Sequence, residues 1–119
     1  MPAEFDDMVS AARSADLEVM FELTAVSDAG GSRTVYSDYR PQYAVRSDYQ
    51  TSARHEFLDS ESATSGQPAR ALVWLLTPEV YPSCMWVGRI LGVFEGSRIV
   101  GRATVVRILN PVLASKEAP

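Results

Sequence analysis

The chain has 119 residues, 46% apolar and 22% charged, a size and mixture that suit one globular domain and exclude wholesale disorder and a coiled coil. Fifteen acidic residues against eleven basic give a net charge of −4, and the single cysteine, Cys84, excludes an internal disulfide scaffold. The charge is uneven: residues 1–18 carry five acids against Arg13, a sum of −4, whereas Met20 onward balances at ten against ten, which argues against a broadly basic surface for nucleic acid.

Residues 1–16 read as an acidic N-terminal extension. Phe5, Met8, Val9 and Ala12 fall at helical spacing, so a short helix over Pro2–Ala15 competes with an unstructured lead-in. The start lacks the basic and apolar regions of a signal peptide, and no run reaches about 18 apolar residues, so a cytoplasmic location with no membrane partner is expected.

From Leu17 the period changes to two. Leu17, Val19, Phe21, Leu23 and Ala25 alternate with more polar neighbours, predicting a strand with one buried face. Asp28–Ser32 with its Gly30-Gly31 pair is a turn, followed by strands over Arg33–Asp38 and Gln42–Ser47, with Pro41 at a strand start. Arg54–Leu58 is a short strand and Asp59–Pro68 a polar loop. Ala69–Thr77 is apolar on both of its alternating faces, so both are expected to be covered.

Pro78 and Pro82 break the chain before a short strand at Met85–Val87; Ile90–Glu95 and Ile99–Leu109 then form a hairpin about Gly96-Ser97. Gly88 and Gly92 are candidates for bulges or bends, and residues 111–119 for a flexible tail after a barrel domain at 17–110. Six or seven short, evenly spaced strands predict an all-β antiparallel domain, either a small barrel or a sandwich.

Little in the chain points to catalysis. His55 is the only histidine and is expected to be a half-exposed strand residue, so a Cys84–His55 nucleophilic dyad has no support from spacing. Two Cys or His residues cannot make a structural zinc site, and no phosphate-binding glycine motif occurs; no catalytic residue, metal or cofactor is assigned. What stands out is a cluster of Arg33, Arg40 and Arg46 with Tyr36, Tyr39, Tyr43 and Tyr49, the residue types enriched at interfaces and also able to stack on bases. The competing reading is of strand tyrosines packed on a barrel, with the arginines paired to Asp38 and Asp48.

Three motifs carry a family resemblance. Glu22–Tyr43, with its Gly-Gly turn and Tyr39-Arg40-Pro41-Gln42-Tyr43, resembles the opening of the C-terminal β-barrel domain of bacterial translation elongation factor Tu; Leu75-Leu76-Thr77-Pro78 and Phe94–Gly101 resemble two later motifs in the same order. The resemblance spans Leu17–Leu109 and implies a six-stranded antiparallel barrel. It implies no GTP binding, because the family's GTPase domain has no counterpart here. It also implies RNA-contacting positions at Gln42, Glu95 and Gly96, with Thr51 a looser match, whereas Ser32 and Thr77 replace cationic residues.

The expected function is therefore that of a stand-alone, non-enzymatic binding module whose surface comprises Arg33, Tyr39, Arg40, Gln42, Tyr43, Thr51, Glu95 and Gly96. A macromolecular partner is expected. Protein is favoured over tRNA because the charge is balanced and tyrosine abundant, and one version is a decoy or immunity protein against a toxin or regulator of the elongation factor. The alternative is a translation accessory that binds tRNA or ribosomal RNA.

Overall fold

The computed structural model describes residues 13–24 and 30–115. The helix expected over Pro2–Ala15 lies outside these residues except at 13–15, which are not helical, and the start of the Gly-Gly turn lies outside them too. Eight strands follow in order: β1 (Leu17–Leu23), β2 (Thr34–Tyr36), β3 (Gln42–Arg46), β4 (Tyr49–Phe57), β5 (Ser62–Thr64), β6 (Ala69–Leu75), β7 (Ile90–Glu95) and β8 (Arg98–Ile108). Six of them close a barrel in the order β1-β6-β4-β3-β7-β8, every pairing antiparallel, while β2 and β5 form a separate two-stranded sheet. This is the six-stranded antiparallel barrel that the resemblance implies, and of the two architectures the strand pattern leaves open it is the barrel and not the sandwich.

Strict alternation drives the closure. Leu17, Val19, Phe21 and Leu23 from β1, Ala71, Val73 and Leu75 from β6, and Ala103 and Val105 from β8 point inward and are buried. Each large apolar side chain so enclosed contributes roughly 1.5–3 kcal/mol. The outer face of β6 departs from expectation: Leu72 and Trp74 are half-buried, and Leu76, just beyond the strand, is 61% exposed.

Two close approaches explain particular glycines. A Cβ at Gly101 would overlap the Glu22 carbonyl oxygen of β1, so only glycine lets β8 pair there. Gly92 lies beneath the Phe94 ring, immediately before a register shift between Val93 and Phe94, which is the irregularity expected near that glycine.

Several boundaries differ from the sequence reading. β4 starts at Tyr49 rather than Arg54, because Tyr49–Ser52 gains a partner in β3. The Asp59–Pro68 loop contains β5, formed against β2. Met85–Val87 is no strand; Met85 makes one isolated parallel bridge to Ala114. Residues 111–115 are docked rather than free: Pro111–Leu113 forms a 3-10 turn, Leu113 is fully buried, and Met85 N donates to Leu113 O at 2.8 Å.

The chain start is held by Asp16, buried to 1% exposure, where its carboxylate accepts from Leu75 N at 2.7 Å, Arg13 Nη2 at 2.6 Å and Asn110 Nδ2 at 2.9 Å. The shortest ladder is that between β3 and β7, which pair only at Gln42–Phe94 and Tyr43–Val93. Beside it the Arg89 guanidinium donates to Val45 O at 2.8 Å and to Cys84 O, substituting side-chain bonds for main-chain ones.

Candidate binding face

The parity of residues 39–46 divides the tyrosine and arginine cluster in two. His55 N donates to Tyr39 O and Ala53 N to Pro41 O, both at 2.9 Å, which extends the β3–β4 pairing back through residue 39. Pro41, Tyr43 and Val45 therefore turn inward and Tyr39 packs against the core, while Arg40, Gln42 and Arg46 stand exposed on the outer face.

Tyr43 is corrected from a surface residue to a core residue, fully buried, its hydroxyl 2.6 Å from His55 Nε2. His55 is likewise fully enclosed rather than half-exposed, with the Phe21, Tyr39, Tyr43 and Phe57 rings around it. Its Nδ1 lies 3.2 Å from Tyr39 O, an acceptor only, so Nδ1 carries the proton and Nε2 accepts from Tyr43. Burial lowers the imidazole pKa to about 4, and with both ring nitrogens engaged inside the barrel His55 has none to offer Cys84. The Cys84 thiol is itself pushed up by burial.

Thr51 is also structural. It is 4% exposed and donates to Leu76 O at 3.0 Å, with its hydroxyl oxygen 3.2 Å from that of Tyr81. The phenol of Tyr81 is pushed up to about 12 by its burial, and donates to the same Leu76 carbonyl at 2.6 Å.

Three other predicted residues do converge. Arg33 forks onto both carboxylate oxygens of Glu95, Tyr39 OH donates to Glu95 Oε2 at 2.7 Å, and the Arg33 guanidinium lies 5.9 Å from the Tyr39 ring centre. The bonds from Arg33 hold the Glu95 carboxyl below its ordinary range, and burial followed by the Glu95 bond pushes the Tyr39 phenol well up. Gly96, with φ of +64°, turns the chain just beyond. The charges of this rim cluster answer one another, so it fixes the entry to β3 against the end of β7 more than it offers free charge.

A cation unpaired among the described residues, Arg40, lies on the outer face just before β3, beside β4 and β6. One row runs Phe94, Gln42, Ser52 and Leu76: Gln42 pairs with both Phe94 and Ser52, and Leu76 N donates to Ser52 O. In the next row Arg40 stands opposite Arg54, and Arg54 opposite Trp74. The Arg54 guanidinium covers the Trp74 ring at 4.1 Å and donates to Asp38 Oδ1 at 3.1 Å. Trp74 Nε1 donates to Arg13 O at 2.9 Å, and Arg13 itself binds Asp16 and Leu75 O. Arg40 has no hydrogen-bond or ion-pair partner among the described residues.

Arg13, Arg40, Arg54, Trp74 and Leu76 together line an open groove of about 250 Å³. Leu76 is held rigidly: three hydroxyls, from Thr51, Thr77 and Tyr81, donate to its carbonyl, and Thr77 beside it adopts a left-handed conformation at φ 49° that is uncommon for a β-branched residue. Of the predicted residues the groove contains Arg40, with Gln42 adjoining it. In the sequence only the second apolar face of Ala69–Thr77, expected to be covered, points to Trp74 and Leu76, and Arg54 figures only as the start of a strand.

Among the described residues no group of three or more His, Cys, Asp or Glu could hold a metal ion, and no helix is long and apolar enough to cross a membrane. No protein-family model matches the chain, and no curated protein matches it.

Proposed function

We propose that this chain is a non-enzymatic binding domain of the kind that resembles the C-terminal barrel of elongation factor Tu, and that it engages a macromolecular partner, protein in preference to RNA, through the outer face of β3, β4 and β6. The observation that supports this reading most is that Arg40, unpartnered among the described residues, faces Arg54 where backbone bonds carry the β3–β4 pairing back beyond Gln42. Like charges directly opposite on neighbouring strands destabilise a sheet, and departures from local stability rules mark functional sites more than structural ones. No GTP or other cofactor enters the reading. One form of it is a decoy that presents a barrel resembling the elongation factor's to a toxin or regulator directed at that factor.

The RNA reading draws on the same arginines and differs in salt dependence. Affinity capture from the native lysate with the wild-type chain beside Arg40→Ala and Arg54→Ala tests the face: a protein partner retained by wild type and lost from both folded variants supports it, and unchanged capture by both overturns it. Filter binding of aminoacyl-tRNA at about 50 and about 200 mM salt tests the alternative, since phosphate contacts weaken steeply over that range. Absence of binding at the lower salt removes RNA.

A further inference from the structure

We infer that the groove between Arg40, Arg54, Trp74 and Leu76 takes a short acidic peptide segment of a partner protein, in which carboxylates and apolar side chains follow one another two residues apart on one face. This rests on the reading of the face as a protein-binding surface and specifies the chemistry it recognises.

Backbone bonds on either side bring residue 40 opposite residue 54, and both arginines line the same groove. Arg54 is already ordered by stacking on Trp74 and by its bond to Asp38, so little side-chain entropy remains to be lost when it accepts a ligand. Arg40 contributes an unengaged planar fork suited to a carboxylate. A bound carboxylate gives Arg40 the counter-charge that Asp38 already gives Arg54, an attraction present only in the complex.

The neighbouring row supplies the apolar half of the recognition. Leu76 is 61% exposed on a backbone whose carbonyl is held by three hydroxyls, and Phe94 is half-buried at the far end of the same row. A peptide lying across these two rows sets acidic side chains on the arginines and apolar ones against Leu76.

A nucleic acid fits poorly. The face of Trp74 that a base would stack on carries the Arg54 guanidinium, and the indole N–H is committed to Arg13 O. The cationic stretch is also short: beyond Arg54 the adjoining cavity is lined by Asp38, Glu56 and Glu61, which repel an anionic backbone continuing in that direction. A peptide carrying a few carboxylates satisfies the groove without crossing that boundary.

The test is fluorescence anisotropy of a labelled ten-residue peptide of repeating Asp-Asp-Leu-Leu, titrated with the full chain at low salt. Saturable binding is expected, weakened at least about tenfold by Arg40→Ala and by Arg54→Ala, weakened also by Leu76→Ser, and weakened less by Arg40→Lys than by Arg40→Ala, because lysine keeps the charge and loses the fork. A control peptide with Asn in place of Asp is expected not to bind. Circular dichroism confirms that each variant is folded. Binding that is absent, or indifferent to Arg40→Ala, overturns the inference, as does a labelled oligouridine that binds more tightly with the same variant sensitivity. If the peptide fails while lysate capture still depends on Arg40, the acidic-peptide inference falls and the binding face stands; if neither depends on Arg40, both fall.

Discussion

Acidification from about pH 7.5 to about pH 5 is expected to weaken the fold through one residue, His55. In the folded chain its imidazole is held neutral, with a pKa lowered to about 4 by burial among aromatic rings. In the unfolded chain it returns to about 6.5. Between these values the unfolded state binds the extra proton, so stability is full above the unfolded pKa and falls as pH drops toward the folded one. The whole shift corresponds to about 3 kcal/mol, of which about 2 kcal/mol is lost by pH 5. For a chain of this length that equals a fall in Tm of about 8 °C.

The geometry gives the same direction. A proton on Nε2 would turn the acceptor of the Tyr43 hydroxyl into a second donor inside a closed core. Urea unfolding at both pH values, for wild type and His55→Gln, isolates the effect. The carboxyl of Glu95, lowered chiefly by its bonds from Arg33, contributes stability that is lost only as pH falls below the ordinary carboxylate range, and it is common to both proteins. If wild type loses no more stability than His55→Gln over this interval, the buried neutral histidine is refuted.

Gly101→Ala forces a Cβ onto the Glu22 carbonyl and should cost about 2–3 kcal/mol, near 10 °C in Tm; a shift under about 3 °C would show that β1 and β8 have room to part. Asp16→Ala leaves Leu75 N without its acceptor and Arg13 and Asn110 without their anchor, for an expected loss of about 2–4 kcal/mol in urea unfolding; a loss below about 1 kcal/mol would contradict its buried role. Tyr39, Tyr43 and Tyr81 all have raised pKa values, so alkaline difference absorbance of the native chain at about pH 11 should show no more than two of the five tyrosines ionised. Cys84, with its thiol raised by burial, should react at least about tenfold more slowly than a free cysteine with a disulfide reagent at mildly alkaline pH, and equal rates would place it in solvent.

Alternation along β1, β6 and β8 made the barrel legible, because period two assigns a side to every residue once one side is known. The same rule was available for residues 39–46 and would have placed Tyr43 with Tyr39 and Pro41, apart from Arg40 and Gln42. Grouping the segment by residue type instead set a core tyrosine among surface residues. Thr51 was misplaced similarly, on a motif position rather than on the parity that points it inward beside Ala53 and His55.

Other features depend on partners far along the chain. Ser62-Ala63-Thr64 has no strand signal of its own and becomes β5 because β2 lies beside it, with the Thr34 and Thr64 hydroxyls 3.0 Å apart. Nothing local marks Asp16 as the point where the chain start is tied to Leu75 and Asn110. Hydropathy alone makes Leu76 look buried, whereas its parity sets it on the outer face, on the opposite side from Leu75, where nothing among the described residues covers it.

The short ladder between β3 and β7 also sets where the cylinder breathes. With pairing confined to Gln42–Phe94 and Tyr43–Val93, and Arg89 stitching the remainder, this seam is the line along which amides should exchange with solvent most readily by opening of the wall rather than of the whole fold. Gln42 and Phe94 face each other across it on the outer surface. A ligand spanning that row would hold the two margins together, so occupancy of the face should be readable at a distance, as slowed hydrogen exchange along a seam the ligand covers only in part.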